Sequence, residues 1–287
     1  YDKGIYINRC FEELILTNPE LVTEVHRDYI NAGSDVIETN TFGANRFKLA
    51  PHGLDARVHE INKKGAELAK AIAKDTTLVA GSVGPLGVQI EPLGKLSYDE
   101  AKDVFKEQIK GLLEGGVDLI VFETFGTVEE LVQGVRAVRE LNADIPIVAH
   151  VTINTEGNLL SGESLERFVG EISKHRVDAI GLNCSEGPRQ MLEALERLRP
   201  LTTLPLSVQP NAGLPQSIGG RNLYMTSPEY IAEYAKRFIQ TGAAIVGGCC
   251  GTNPTHIKAI RRAVQALQPS KRMDVKAGSL KVEKPEE

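Results

Sequence analysis

The chain has 287 residues, of which 41% are hydrophobic and 25% charged, which is enough to bury the core of a single α/β barrel. Its formal net charge of −5 and its lack of a basic stripe with interleaved aromatic residues argue against nucleic acid as a partner. Because no apolar run approaches the roughly 18 residues of a membrane helix and no signal peptide precedes Tyr1, we expect neither a membrane partner nor secretion.

Apolar strand patterns alternate with amphipathic helix patterns along nearly the whole chain. The seven predicted strands cover residues 35–41, 77–83, 117–124, 146–153, 177–184, 205–209 and 243–248. The eight predicted helices cover residues 19–31, 54–74, 98–114, 128–141, 163–175, 188–199, 228–240 and 254–266. Several helix patterns end in Gly before an acidic or small residue, which is typical of a helix C-cap leading into a buried parallel strand. The alternation predicts a parallel sheet covered by helices.

The excess of one helix over the strands predicts an α/β fold of the (β/α)8 TIM barrel type, with the first strand missing from the N-terminus of this chain. We expect that strand upstream of Tyr1, since the sequence begins with the loop before the first helix. The alternative is an open doubly wound sheet, but no Gly-x-Gly-x-x-Gly pattern follows an early strand. The barrel domain is predicted to span residues 1–268, and the charged segment 269–287 to be a flexible tail or an interdomain linker.

Three of the four cysteines lie where predicted strands end, which is where a barrel of this type carries its catalytic groups. Cys184 ends one strand, Cys249 and Cys250 end the last, and Cys10, ahead of the first helix, is interpreted as structural. The four do not make a disulfide framework, which favours the reducing cytoplasm. The other polar residues at the strand ends are Asn40, Thr41, Ser82, Glu123, Thr124, His150, Thr152, Asn183, Gln209 and Asn211.

Three thiolates converging at an open barrel mouth suit zinc, with the fourth metal position left for water or substrate. The adjacent pair also fits a strained vicinal disulfide or simple packing, and the glycine-rich turn 247–252 fits a phosphate held by backbone amides. Glu123 follows an apolar strand, so it either binds a substrate ammonium group or pairs with a neighbouring amide or lysine. His150 receives no assigned role, and Asn211 is predicted to be a turn residue.

The motifs that carry these residues resemble the zinc-dependent homocysteine S-methyltransferase family over residues 9–267. They are Thr-Asn-Thr-Phe-Gly (39–43), Phe-Glu-Thr-Phe (122–125), Gly-Leu-Asn-Cys-Ser (181–185), Pro-Asn-Ala-Gly (210–213) and Gly-Gly-Cys-Cys-Gly-Thr-Asn-Pro (247–254). The resemblance implies that Cys184, Cys249 and Cys250 are the catalytic zinc ligands. It also implies that Glu123 holds the homocysteine amino group, and that Asn211 matches an asparagine that in methionine synthases can occupy zinc's fourth position.

The activity implied by this resemblance is zinc-dependent methyl transfer to the thiol of L-homocysteine, giving methionine, with the zinc-bound thiolate attacking the donor methyl group. Thr124 stands where the betaine-dependent branch has tyrosine, and the chain has no Trp, so betaine is disfavoured as donor. Methyltetrahydrofolate, used directly or through methylcobalamin, S-methylmethionine and S-adenosylmethionine all stay open, as does the oligomeric state.

The segment 8–14 is similar to bacterial proteins in which this domain is fused to a methylenetetrahydrofolate reductase. The homocysteine-binding domain of cobalamin-dependent methionine synthase is a close alternative. Either resemblance implies that cobalamin or folate acts as methyl carrier through another domain. The rival functions are a non-catalytic zinc-binding module of a larger protein and a phosphate-handling barrel lyase or aldolase.

Overall fold

The computed structural model describes residues 10–218 and 221–267, and its centre is a sheet of seven parallel strands. These strands are β1 (Val36–Glu38), β2 (Leu78–Val83), β3 (Leu119–Phe125), β4 (Ile147–Val151), β5 (Ala179–Asn183), β6 (Leu206–Gln209) and β9 (Ala243–Val246). A separate hairpin of β7 (Gln216–Ile218) and β8 (Arg221–Leu223) lies between β6 and β9 in the chain. The seven parallel strands pair in chain order and curl into a half-barrel. A doubly wound sheet reverses its strand order partway, so this order excludes it.

Helices precede β1, connect the successive parallel strands and follow β9. They are α1 (Leu14–Thr17), α2 (Pro19–Asn31), α3 (Arg46–Leu49), α4 (Val58–Ala73), α5 (Tyr98–Glu114), α6 (Val128–Leu141), α7 (Leu165–Ile172), α8 (Pro188–Leu198), α9 (Pro228–Thr241) and α10 (Pro254–Val264). Short 3-10 turns cover Phe11–Glu13, Ala50–His52, Asp55–Arg57 and Arg199–Leu201. In the described ranges, no helix has both the length and the apolar character needed to cross a membrane.

Local capping explains where several helices begin. The Asn18 side chain accepts a hydrogen bond from the Leu21 amide ahead of α2, and Ser97 and Glu100 form a reciprocal capping box at the start of α5. Both helices occupy the residues predicted for them. Predicted helix 54–74 begins later, at Val58, because residues 55–57 form a 3-10 turn instead.

Inward-facing positions of the half-barrel change from apolar to polar along each strand. Nearer the amino ends of the strands, the inward-facing side chains form an apolar layer. It consists of Ala80, Val121, Val148 and Ala179, with Leu119 and Ile245 beside it. Two residues further on, the same faces carry Ser82, Glu123, His150 and Gly181. The polar groups are therefore collected at the carboxyl ends of the strands, as the sequence predicts.

The half-barrel is open between β1 and β9. Within residues 10–218 and 221–267, no strand pairs with the outer edge of either one. A cavity of about 980 Å³ occupies this gap and reaches inward past Glu38 and His150 to Cys249. The architecture is that of a TIM barrel lacking one strand, as predicted. The predicted domain boundary at residue 268 and the predicted linker 269–287 lie outside the described residues.

Candidate metal centre and substrate site

Three sulfur atoms meet where β5 and β9 end. The Sγ atom of Cys250 is 3.7 Å from that of Cys184 and 4.0 Å from that of Cys249, and all three lie within 4.8 Å of one another. Tetrahedral zinc with bonds of about 2.3 Å to sulfur places its thiolate ligands about 3.8 Å apart, so the three sulfurs fit that metal. The separations exclude a vicinal disulfide in this structure, since a disulfide bond is only about 2.0 Å long.

An unusual backbone carries Cys184 out of the sheet. Cys184 and Ser185 both have left-handed backbone conformations, with φ of 61° and 63°. Residues other than glycine rarely adopt such angles. The Cys184 amide still bonds to the Gln209 carbonyl at 3.1 Å, and its own carbonyl accepts from the Glu186 amide at 2.7 Å. The chain thus turns sharply at the end of β5, and such strained positions are typical of functional sites.

The segment after β6 positions the adjacent cysteines. The Cys249 amide donates to the Pro210 carbonyl at 2.8 Å, and the Cys250 amide donates to Oδ1 of Asn211 at 3.1 Å. The Ala212 amide in turn donates to the Cys250 carbonyl at 2.8 Å. Asn211, predicted to be a turn residue, is buried and orders the loop that carries two of the sulfurs.

Hydrogen bonds among the three thiols shift their pKa values in opposite directions, and the group of sulfurs is open on one side. Hydrogen bonds from Cys184 and Cys249 lower the pKa of Cys250 to about 3, and the hydrogen bond between Cys184 and Cys249 raises the pKa of Cys249. Among the three thiols of the metal-free chain, Cys250 is therefore the one that loses its proton most readily. Because Cys250 is exposed and the other two are half-buried, a ligand can reach the centre from the barrel mouth.

Glu123 lies inside the mouth next to a second carboxyl group. Its Oε1 accepts a hydrogen bond from Ser82 Oγ at 2.5 Å, and its carboxyl group hydrogen-bonds to that of Glu38, which also accepts from Gln209 Nε2 at 2.9 Å. Burial, and then the charge of Glu38, raise the pKa of Glu123 well above its ordinary value, and burial also raises the pKa of Glu38. No basic side chain of the described residues forms a salt bridge with either carboxyl group, although the charge of Lys48 acts on Glu123, so the pair is a favourable place for a cation.

Asn183 connects this acidic pair to the metal centre. β3 has a register shift at Thr124, whose φ is 65°, and the Thr124 amide donates to Asn183 Oδ1 at 2.7 Å. Nδ2 of Asn183 donates to Thr124 Oγ1 at 3.0 Å and lies 4.0 Å from the Cys249 sulfur. Asn183 therefore fixes the spacing between the strand of Glu123 and one of the sulfurs.

The other strand-end residues have structural contacts or none. The side chains of Asn40, Thr41 and Thr152 donate to the backbone carbonyls of Phe11, Ser82 and Asn183. Neither ring nitrogen of buried His150 has a hydrogen-bond partner among the described residues, and burial lowers its pKa to about 3. Cys10 lies away from the other cysteines in an apolar cluster with Ile15 and Val58, where burial and then Glu12 raise its pKa to about 11.

Two residues at the site were not singled out by the sequence pattern. Glu38 could have been noticed because Glu38-Thr39 and Glu123-Thr124 are Glu-Thr pairs at the ends of two similar segments. Tyr224, whose phenol hydrogen-bonds to Cys250, gave no such signal, since it follows the hairpin in a stretch without strand or helix periodicity.

Comparisons with known proteins agree with this geometry. A family model described as homocysteine S-methyltransferase matches residues 6–264. Methionine synthase from Mycobacterium tuberculosis is 36% identical over 275 residues, which are 92% of this chain and 23% of that protein. Methionine synthase from Mycobacterium leprae is 36% identical over 267 residues, which are 89% of this chain and 22% of that protein. The chain thus spans less than a quarter of these relatives' length. Among solved structures, the homocysteine methyltransferase MmuM from Escherichia coli, in its metallated form, superposes with a TM-score of 0.78 at 27% identity, covering 91% of both chains.

Proposed function

The chain belongs to the homocysteine S-methyltransferase family, and from that membership we propose that it transfers a methyl group to the thiol of L-homocysteine, giving methionine. The observation that carries the proposal is the open group of three sulfurs near the acidic pair of Glu38 and Glu123. Homocysteine carries a thiol and an ammonium group, which are complementary to these two features.

The thiolates of Cys184, Cys249 and Cys250 would hold the metal, and their spacing supports zinc. When bound, zinc would offer its fourth position to the homocysteine sulfur and lower the pKa of that thiol from about 8.5, so that it is a nucleophile at neutral pH. The Escherichia coli relative is known in a metallated form, which supports a metal in this chain as well. Because the thiols must stay reduced to bind it, we place the protein in the cytoplasm.

The side chains around the metal centre orient the substrate. We assign Glu123 to the homocysteine ammonium group, with Ser82 and Glu38 fixing its carboxyl group and adding negative charge. Asn183 sets the distance between that carboxyl group and the sulfurs. Asn211 borders the same site through its bond to the Cys250 amide, and its contact with substrate or metal stays a prediction.

The methyl donor approaches from outside the described residues. Since the chain covers less than a quarter of its methionine synthase relatives, we propose that another domain or protein, of the folate or cobalamin type or a fused methylenetetrahydrofolate reductase, brings the methyl group to the open mouth. The exposed sulfur of Cys250 faces the side from which such a donor can arrive.

The rival functions agree less well with the geometry. A structural zinc module has a closed metal site, whereas this group of sulfurs is open. A phosphate-binding turn needs free amides, but the amides of Gly247, Cys249 and Cys250 already donate to Val208, Pro210 and Asn211.

The proposal is tested by measuring the zinc content of the purified protein, then titrating homocysteine at fixed pH while counting released protons. We expect one zinc per chain, about one proton released on homocysteine binding, and loss of both in Cys249→Ser. Cys10→Ser is the matched control and should keep both. A protein that purifies without zinc, or whose zinc does not respond to homocysteine, would contradict the proposal.

A further inference from the structure

Tyr224 is the one tyrosine of the described residues whose side chain hydrogen-bonds to a sulfur of the metal centre. Its phenol group bonds to Cys250, the exposed sulfur of the three. Its ring lies directly on the turn after Cys250, because a Cβ atom added to Gly251 would be 2.2 Å from Tyr224 Cγ. The absence of a side chain at Gly251 is thus what allows the phenol to approach the sulfur.

The segment that carries Tyr224 is attached to both sides of the metal centre. Two residues further on, the Thr226 amide donates to the Ala212 carbonyl at 3.2 Å, in the loop that also positions Cys250. The Thr226 carbonyl lies 3.0 Å from Nε2 of His256, in the first turn of α10. Contacts with the loop of Ala212 and with α10 therefore hold the segment that carries Tyr224 in place.

The position of Tyr224 bears on a problem of selectivity at such a centre. A thiolate that holds zinc is itself a nucleophile, and Cys250 faces the side from which a methyl donor can arrive. A hydrogen bond to a thiolate stabilises the lone pairs of the sulfur. A sulfur with stabilised lone pairs attacks an electrophile more slowly. The sulfur most exposed to the donor is the one that receives this bond.

We propose that Tyr224 protects Cys250 from methylation, and so directs the methyl group to the homocysteine sulfur; this inference rests on the proposed function. In the suppressed side reaction, a lone pair of the Cys250 sulfur forms a bond to the methyl carbon. The bond between that carbon and its leaving group breaks, and the leaving group takes the electron pair. Cys250 becomes neutral S-methylcysteine, a poor metal ligand, so each such event would remove one ligand from the centre. Tyr224 touches the ligand and not the reacting atoms of the substrate, so it is a positioning residue.

The test uses methyl iodide, which transfers a methyl group to sulfur and releases iodide. Zinc-loaded wild-type protein and Tyr224→Phe are exposed to it without homocysteine, and S-methylation of each cysteine is followed over time by peptide mass spectrometry. The phenylalanine ring keeps the packing on Gly251 and removes only the hydroxyl group. We expect the rate at Cys250 to rise about tenfold, as the loss of one hydrogen bond to a charged group implies, with little change at Cys184. Tyr230→Phe, an exposed tyrosine on α9, is the control and should behave as wild type.

Equal rates at Cys250 in wild type and Tyr224→Phe would overturn the inference, and so would an equal rise at all three sulfurs, which would indicate general opening of the site. The comparison is repeated on metal-free protein, where the same selective rise is expected because the hydrogen bond involves no metal. A wild-type protein that holds no zinc would therefore contradict the proposed function, while the metal-free comparison still decides the role of Tyr224.

Discussion

Glu123 and Glu38 place two acidic side chains in the interior of the half-barrel, and no basic side chain in the described part of the chain forms a salt bridge with either. Their carboxyl groups share a hydrogen bond, and burial raises the pKa of both. Such a pair is costly in a folded protein unless a proton or a ligand cation balances it. The substrate ammonium group would supply that balance only when homocysteine is bound.

Replacing Glu123 should therefore weaken substrate binding more than it changes the metal centre. We expect Glu123→Gln to raise KM for homocysteine at least about tenfold, since a lost hydrogen bond to a charged group is worth about 1.5–3 kcal/mol. Zinc content should stay the same. Glu130→Gln is the matched control, because Glu130 is likewise a buried glutamate, whose carboxylate accepts from the Leu86 amide. An unchanged KM in Glu123→Gln would remove Glu123 from the substrate site.

His150 should make the fold sensitive to acid. Burial lowers its pKa to about 3, so between pH 6.5 and 3 the unfolded chain binds a proton that the folded chain does not. This contribution to stability is present above pH 6.5 and is lost as the pH falls. We expect His150→Gln to lose about 3 kcal/mol less unfolding free energy than wild type between pH 7 and pH 4, measured by urea denaturation. His52→Gln, at an exposed position, controls for the loss of one histidine and should keep the wild-type acid dependence.

At the scale of elements, the connection between β9 and α10 carries two of the three sulfurs of the candidate site. The Asn253 side chain accepts from the amides of Thr255 and His256, and His256 returns a contact to the Asn253 amide. This capping box fixes the start of α10 at Pro254, four residues after Cys250. The cap of α10 therefore also anchors the loop that carries two candidate metal ligands.

Removing this cap should weaken metal binding as well as the fold. We expect Asn253→Ala to cost about 1 kcal/mol of unfolding free energy and to lower zinc affinity about tenfold, because the ligand loop loses its anchor. Ser97→Ala removes the capping box of α5, far along the chain, and should give a similar loss of stability with unchanged zinc affinity. Equal zinc affinity in the two variants would show that the cap does not support the ligands.

The seven strands and the long helices could be predicted because their signals are local. Caps such as Asn18 and Ser97 mark helix starts, and continuous apolar runs mark buried strands. β1 is shorter than predicted because the Thr39 side chain, rather than a backbone carbonyl, accepts the Ser82 amide. The hairpin β7–β8 lacks apolar alternation, and the partners of Glu38 and Tyr224 lie far away in the sequence, so neither could be predicted from a local pattern.

For the whole molecule, the three sulfurs connect parts of the chain that are 65 residues apart, from Cys184 to Cys249. β9 is an edge strand that pairs only with β6 in the described part of the sheet. A metal bound by Cys184, Cys249 and Cys250 therefore also fastens β9 to β5, across the intervening strand.

Removing the metal should accordingly destabilise the protein as a whole. A ligand present at 100 times its Kd stabilises the folded state by about 2.7 kcal/mol, so we expect a chelator to lower the unfolding temperature by about 5 °C. Differential scanning calorimetry with and without chelator measures the shift. Cys249→Ser should show no chelator effect, and an equal shift in that variant would mean that the chelator acts elsewhere.

The gap between β1 and β9 has a consequence for substrate binding. Its cavity runs from the outer helices to Glu38, Glu123 and Cys249, so a segment that occupies the gap and a homocysteine molecule in the mouth are neighbours. Where one of two such neighbours changes the affinity of the other, the factor is the same in both directions. If homocysteine binds in the mouth as proposed, then filling the gap and recognising the amino acid form one coupled equilibrium, and the strength of either event is measured through the other.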